Sequence, residues 1–209
     1  EAVGLADYGK SGNYFERQLS RWSQQYKASE IDEVPAMDQL IEWLEANLPE
    51  NDGRISLVHG DYRLDNMMFS DPAFREGHAD IIAVLDWELS TLGHPFADLA
   101  YQCMQLRMPA SSGQKKSGQM SGLAGLDRKA LGIPTEKEYV AKYCERLGIE
   151  GIDHWAFYLA FSFFRLAAIA QGVAKRALEG NASSKQASQV GAYVPLLAMG
   201  ALAVIKEEG

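Results

Sequence analysis

Leu57-Val58-His59-Gly60-Asp61-Tyr62-Arg63-Leu64-Asp65-Asn66 is the stretch on which the reading of this 209-residue chain turns. Its downstream partner is Ala83-Val84-Leu85-Asp86-Trp87-Glu88. Together they set two carboxylates, Asp61 and Asp86, and one amide, Asn66, at the ends of short apolar runs. Magnesium takes hard oxygen ligands, commonly one or two carboxylates completed by phosphates and waters. A carboxylate offset by a few positions can accept the proton of an attacking hydroxyl. The pattern therefore suits a divalent metal and a phosphate held beside an alcohol.

The flanking residues predict how these groups meet. Ile55 to Val58 reads as a short buried strand leading into the Asp61 loop, and Met67 to Phe69 as a second strand. Ser70 to Asp80, with Pro72 and Gly77, is a polar turn region. Ile81 to Leu85 is a third strand, rich in β-branched residues. The last two strands read as a hairpin with a long connection, which would bring Asn66 near Asp86. Singly, each residue also has a structural reading. Asp61 after Gly60 is a turn pair, Asn66 can open a strand, and Asp86 can cap one. Jointly, their order and spacing favour a site. Glu88 lies two positions past Asp86, so in an extended strand both face one side; it would then reach a second metal or stand as an exposed acid.

Protein kinases place an Asn five positions after the catalytic Asp and a metal-binding Asp after the next strand pair. His59-Gly60-Asp61 with Asn66 resembles the catalytic loop of the aminoglycoside phosphotransferase family, the small-molecule relatives of those kinases. Leu85-Asp86-Trp87-Glu88 resembles its metal-binding segment, and Pro95-Phe96-Ala97-Asp98-Leu99-Ala100 the helix start that follows. The wording is most similar to the kinase-like domain of some acyl-CoA dehydrogenase family proteins and their free-standing bacterial relatives. The resemblance runs over nearly the whole chain and is specific over positions 57 to 100. It implies that Asp61 is catalytic, that Asn66 and Asp86 hold Mg2+ on ATP, and that His59 and Asp98 support the loop.

Composition sets bounds. A hydrophobic fraction of 47% is ordinary for a globular protein with a sizeable core. A net charge of −8 argues against a general nucleic-acid or membrane-surface binder. Cys103 and Cys144 sit in apolar helical patterns and fit a reducing compartment, so a cytoplasmic location is expected. His59, His78, His94 and His154 do not combine with them at zinc spacing. No secretory or transit signal opens the sequence. The apolar stretches Trp155 to Ala170 and Val190 to Ile205 are shorter than a span of about 20 residues and read as core helices.

Helical patterns occupy the rest. After an irregular start at Gly4, Gly9 and Gly12, the residues Phe15, Leu19, Trp22 and Tyr26 form one stripe from Asn13 onward. Pro35 opens a second helix with Met37, Leu40, Ile41, Leu44 and Leu48 inside. Pro95 starts a helix to Leu106. Positions 109 to 125 read as a substrate lid or a disordered insertion. Thr135 and Glu138 form a capping box for a helix ending at Gly148. Asp153 would cap a helix from His154 to Leu178, and a last helix would run from about Asn181 to Ile205.

The expected fold is therefore α+β, mainly α, with a small β-hairpin insert carrying the site. The resemblance identifies it as the C-terminal lobe of a protein-kinase-like fold: one unit over 1–209, a helical lead-in at 13–48, the catalytic and metal-binding segment at 55–100, and a helical substrate side at 135–206. No glycine-rich hairpin or strand lysine is evident before Asp61, so the nucleotide-binding lobe is expected to be missing from this stretch, and the stretch by itself is expected to be inactive. The leading expectation is an ATP-dependent phosphotransferase acting on a small-molecule hydroxyl, whether a hydroxyacyl compound or an aminoglycoside-like sugar. The alternative is a non-catalytic kinase-like binding module. A protein kinase fits less well, for no Ala-Pro-Glu follows Asp86.

Overall fold

The computed structural model describes residues 4, 8–10, 12–71, 79–110, 120–181 and 187–208. Helix α1 (Tyr14–Ser29) begins where the Asn13 side chain accepts the N–H groups of Phe15 and Glu16 at 3.1 and 3.4 Å. That cap satisfies donors no helical carbonyl can reach. Helix α2 (Pro35–Ala46) starts on proline, whose missing N–H costs nothing in a first turn. Met37, Leu40 and Leu44 are fully buried along its inner face.

The β portion is two separate antiparallel pairs. β1 (Ser56–Val58) pairs with β4 (Thr91–Gly93), and β2 (Met67–Phe69) pairs with β3 (Ile81–Val84). The expected hairpin is β2–β3, with Met67 opposite Val84 and an irregularity between Met68 and Phe69. Strand β4 was not expected. The strand at 55–58 also differs from expectation, because it is not buried throughout: Val58 is 1% exposed, but Leu57 is 44% and Ile55 68% exposed. A two-stranded pair covers only one face, and only the residue facing the helices is enclosed.

Helix α3 (Phe96–Arg107) follows β4 directly. The expected loop at 109–125 lies outside the described residues over 111–119. Its stems are stitched to the end of α3: the Leu123 N–H donates to the Gln105 carbonyl at 2.8 Å and the Ala124 N–H to Met108 at 2.9 Å. The polar turn's Pro72 and Gly77, and His78, also lie outside the described residues. Helix α4 (Glu136–Leu147) carries the full capping box of Thr135 and Glu138 and ends on Gly148 at φ 65°.

Helix α5 (Trp155–Leu178) is the axis of the bundle and touches α1, α2, α3 and α7. It is 24 residues long and, by length and composition alone, could cross a membrane; 72% of its most apolar window is buried inside the protein, which accounts for that apolarity. Its N-cap is His154, at φ 58° and without a side-chain cap bond, so Asp153 does not cap it. The expected last helix is two, α6 (Ala187–Val190) and α7 (Tyr193–Glu208). Pro195 explains the break: it has no N–H to donate, and it falls in the first turn of the restarted helix. The core centres on Phe15, Phe157, Tyr158 and Phe161, with neighbouring ring centroids 4.9 to 6.2 Å apart. Each such side chain stabilises the fold by about 1.5–3 kcal/mol on burial.

Candidate active site

The loop between β1 and β2 is held from three sides. From α3, the Asp98 carboxylate accepts the His59 N–H at 2.6 Å on one oxygen and the Gly60 N–H at 2.9 Å on the other. Burial pushes the Asp98 carboxyl above its ordinary value, against the pull of those two N–H groups and of the Arg165 charge.

His59 is itself a brace. It is 2% exposed, and its ring lies 4.7 Å from the Trp87 ring. The Asp61 N–H donates to Nδ1 at 3.2 Å, so Nδ1 is unprotonated. Nε2 must then carry the proton, which it donates to the Leu85 carbonyl at 2.8 Å. One imidazole thereby ties the Asp61 loop to the end of β3.

Gly60 makes the bend. Its φ is +86°, and a Cβ there would lie 2.7 Å from the Leu89 carbonyl oxygen. Only glycine meets both conditions without strain. The carbonyl of Gly60 accepts a 2.6 Å bond from Nη2 of Arg165, a residue of α5. Sequence reasoning missed this arginine. The available signal was a cation in the middle of the apolar run from Trp155 to Ala170, because a charge in a core needs a partner.

The structure joins Asp61 to Asn66. The Asn66 amide nitrogen donates to the Asp61 carbonyl at 2.9 Å and to its carboxylate at 3.0 Å. Both partners are acceptors, which settles which end of the amide is nitrogen. Asp86 is one residue beyond Leu85, whose N–H donates to the Asn66 carbonyl at 2.8 Å. The hairpin register therefore sets Leu85 opposite Asn66 and Asp86 one residue further along. Asp86 is exposed and adopts a left-handed conformation, φ 64° and ψ 55°. Residues other than glycine rarely do so, though Asp and Asn tolerate it best. The turn it makes folds Trp87 back, and the Trp87 Nε1–H donates to the Val84 carbonyl at 2.8 Å.

Glu88 is not on a strand. Trp87–Leu89 form a 3-10 turn, so the extended geometry that would have put Glu88 and Asp86 on one side is absent, and Glu88 is exposed. Tyr101, also unforeseen, is buried on α3; burial first, and then the negative charge of Asp61, push its hydroxyl above the ordinary value.

Among the described residues no three His, Cys, Asp or Glu side chains gather as a metal cage. A magnesium site need not have one, since the ion keeps waters and takes ligands from substrate phosphates. The donor set of Asn66 and Asp86 fits that mode. With its nitrogen committed to Asp61, the Asn66 amide has its oxygen left to face a cation.

The family described as "Phosphotransferase enzyme family" matches residues 1–131. Acyl-CoA dehydrogenase family member 10 of Mus musculus is 49% identical over 191 residues, covering 91% of this chain and 17% of that protein. Family member 11 of Homo sapiens is 43% identical over 186 residues, 88% of this chain and 22% of its own length. This chain thus spans about a fifth of these curated relatives. A Ralstonia eutropha crystal structure, provisionally described as an aminoglycoside phosphotransferase, superposes with a TM-score of 0.85 at 48% identity. The likeness covers 99% of this chain and 59% of that one.

Proposed function

We propose, for a chain that belongs to the phosphotransferase enzyme family, an ATP-dependent transfer of the γ-phosphoryl group to the hydroxyl of a small molecule. The observation that carries this reading is the pair of hydrogen bonds that the Asn66 amide nitrogen donates to Asp61, set on a loop that Asp98, His59 and Arg165 hold. A braced carboxylate next to an amide whose oxygen is left over is the pairing that hydroxyl activation beside a metal-bound phosphate requires.

Asp61 would orient the acceptor hydroxyl and take its proton as the oxygen bonds to phosphorus. The bond from phosphorus to the bridging oxygen breaks, and the nucleoside diphosphate leaves with that electron pair. Asn66 and Asp86 would hold magnesium, which neutralises charge on the phosphates when bound. His59 and Asp98 touch no substrate in this scheme; they fix where Asp61 points. Glu88 is a weaker candidate for a second ion, since its turn does not align it with Asp86.

The chain is read as the helical lobe of a kinase-like fold. Support comes from the likeness to the Ralstonia structure, which covers 59% of that longer chain. It comes also from a run of exposed apolar residues about the β pairs: Leu57, Met68, Phe69, Ile82 and Trp87 are 43% to 60% exposed. A second, nucleotide-binding lobe would cover such a surface. The acceptor class extends from hydroxylated acyl compounds to amino sugars.

The test is nucleotide-dependent phosphorylation by the full-length protein, with Asp61→Asn and Asp86→Asn compared. Turnover should fall by roughly 100-fold or more in Asp61→Asn while nucleotide binding survives. Unchanged turnover in both variants removes the assigned roles. Metal-dependent nucleotide binding without turnover in the wild type would favour a binding module instead.

A further inference from the structure

The peptide unit that carries Asp61 is gripped at both ends. Its N–H, that of Asp61, donates to His59 Nδ1 at 3.2 Å. Its carbonyl, that of Gly60, accepts from Arg165 Nη2 at 2.6 Å, although the two residues are 105 positions apart. The His59 bond lies within the loop and can move with it. The Arg165 bond ties the loop to the central helix.

Arg165 is not free to swing. Its guanidinium carbon lies 5.6 Å from the centre of the Trp22 ring and 5.7 Å from that of Tyr101. Rings from α1 and α3 thus flank a planar cation from α5, an arrangement that a lysine ammonium cannot reproduce. Its Nε is buried and has no hydrogen-bond partner among the described residues. A buried N–H left unbonded is costly, so the site holds the fork where Nη2 meets Gly60 at the expense of Nε. The Arg165 charge also pulls the Asp98 carboxyl down, opposing the effect of its burial. It therefore favours the ionised form that accepts the His59 and Gly60 N–H groups.

We propose that Arg165 is a positioning residue for Asp61: by clamping the Gly60 carbonyl it transmits the packing of α1, α3 and α5 to the direction of the Asp61 carboxylate. The proposal rests on the phosphotransfer reading for its consequence in turnover, but the clamp has a readout of its own. A cation that only filled the core would stabilise α5 and leave the loop amide indifferent.

The experiment uses the full-length protein and the variants Arg165→Met, which keeps the stem, and Arg165→Lys, which keeps the charge without the fork. Residue-resolved amide exchange by NMR should show Asp61 exchanging about tenfold faster or more in Arg165→Met, with α5 and α3 amides unchanged and Arg165→Lys intermediate. In turnover, kcat should fall roughly 10- to 100-fold with KM for nucleotide and acceptor nearly constant. Unchanged Asp61 exchange in a folded Arg165→Met protein overturns the clamp, as does faster exchange spread evenly over α3 and α5. If Arg165→Met does not fold, Arg165→Gln, with an amide N–H2 and no charge, answers by the same amide. A wild-type protein that transfers no phosphate sinks the phosphotransfer reading alone, because Asp61 exchange still decides the clamp.

Discussion

The amide nitrogen of Asn66 donates to Asp61 twice, to the main-chain carbonyl at 2.9 Å and to the carboxylate at 3.0 Å. A candidate metal ligand and a candidate base are therefore one hydrogen-bonded unit, and a change at either reaches the other. Asn66→Asp tests this directly. It keeps an oxygen ligand for magnesium but sets a second carboxylate against Asp61. Like charges that close cannot both ionise easily, so one of the pair keeps its proton to higher pH. The acidic limb of the pH–rate profile should move upward relative to wild type. A limb that stays in place would mean that the two side chains are apart in the working enzyme.

Gly60→Ala should cost both stability and turnover. A non-glycine residue in a sparsely populated conformation costs about 1–3 kcal/mol, and Gly60 is at φ +86°. The added Cβ would also press on the Leu89 carbonyl at 2.7 Å, an atom of the main chain that cannot rotate away. Urea unfolding should give a loss of that order or larger. A loss under about 0.5 kcal/mol, the scatter of ordinary surface changes, would show that the loop relaxes at no cost.

What the letters of the chain disclosed, and what they hid, follows the range of the interactions. Asn13, Pro35 and the Thr135–Glu138 box act within one turn, and each helix they open begins beside them. The β2–β3 pair was legible because an apolar run recurs on each side of a polar interval. Strand β4 was not: Thr91-Leu92-Gly93 is three residues with no alternation, and its partner Ser56–Val58 is over thirty positions away. Asp153 looked like a cap by type, but the chain enters α5 through His154 in a left-handed turn, where the preceding side chain is not the capping one. Asp61 and Asn66 were legible as a pair by their spacing. Arg165 was visible only as an oddity, because no local pattern says which loop a helix midpoint will meet.

Asp98 makes stability depend on pH in an unusual direction. Its folded carboxyl is raised by burial, so between the ordinary value of 3.8 and that raised value the folded state binds the proton more readily than the unfolded chain. The contribution is complete below 3.8 and declines as pH rises through the folded value. Asp98→Asn removes that slope. It also turns an amide N–H2 toward one of two loop N–H donors, leaving that donor unsatisfied at about 1–3 kcal/mol. Urea midpoints from pH 3.5 to 7.5 should show a wild-type minus variant difference that shrinks with rising pH. A difference that grows over this range would mean that the two N–H bonds outweigh burial.

His94 should act in the opposite direction. It is 7% exposed among Phe15, Phe96 and Tyr158, with the Tyr158 ring stacked at 5.5 Å. The Phe96 N–H donates to Nδ1 at 3.3 Å, so Nε2 carries the proton and faces the Asp52 carboxylate at 3.3 Å. Burial lowers its pKa below 6.5, and Asp52 offsets part of that fall. An unfolded chain therefore takes up the proton first as pH drops, and the stability present above 6.5 is lost as pH falls through the folded value. His94→Gln should flatten the decline in urea midpoint between pH 7 and 5. Asp52→Asn should steepen it, because the one influence that raises the pKa is gone while the burial remains. If Asp52→Asn flattened the decline instead, the carboxylate would be the titrating partner and His94 a bystander in its aromatic cage.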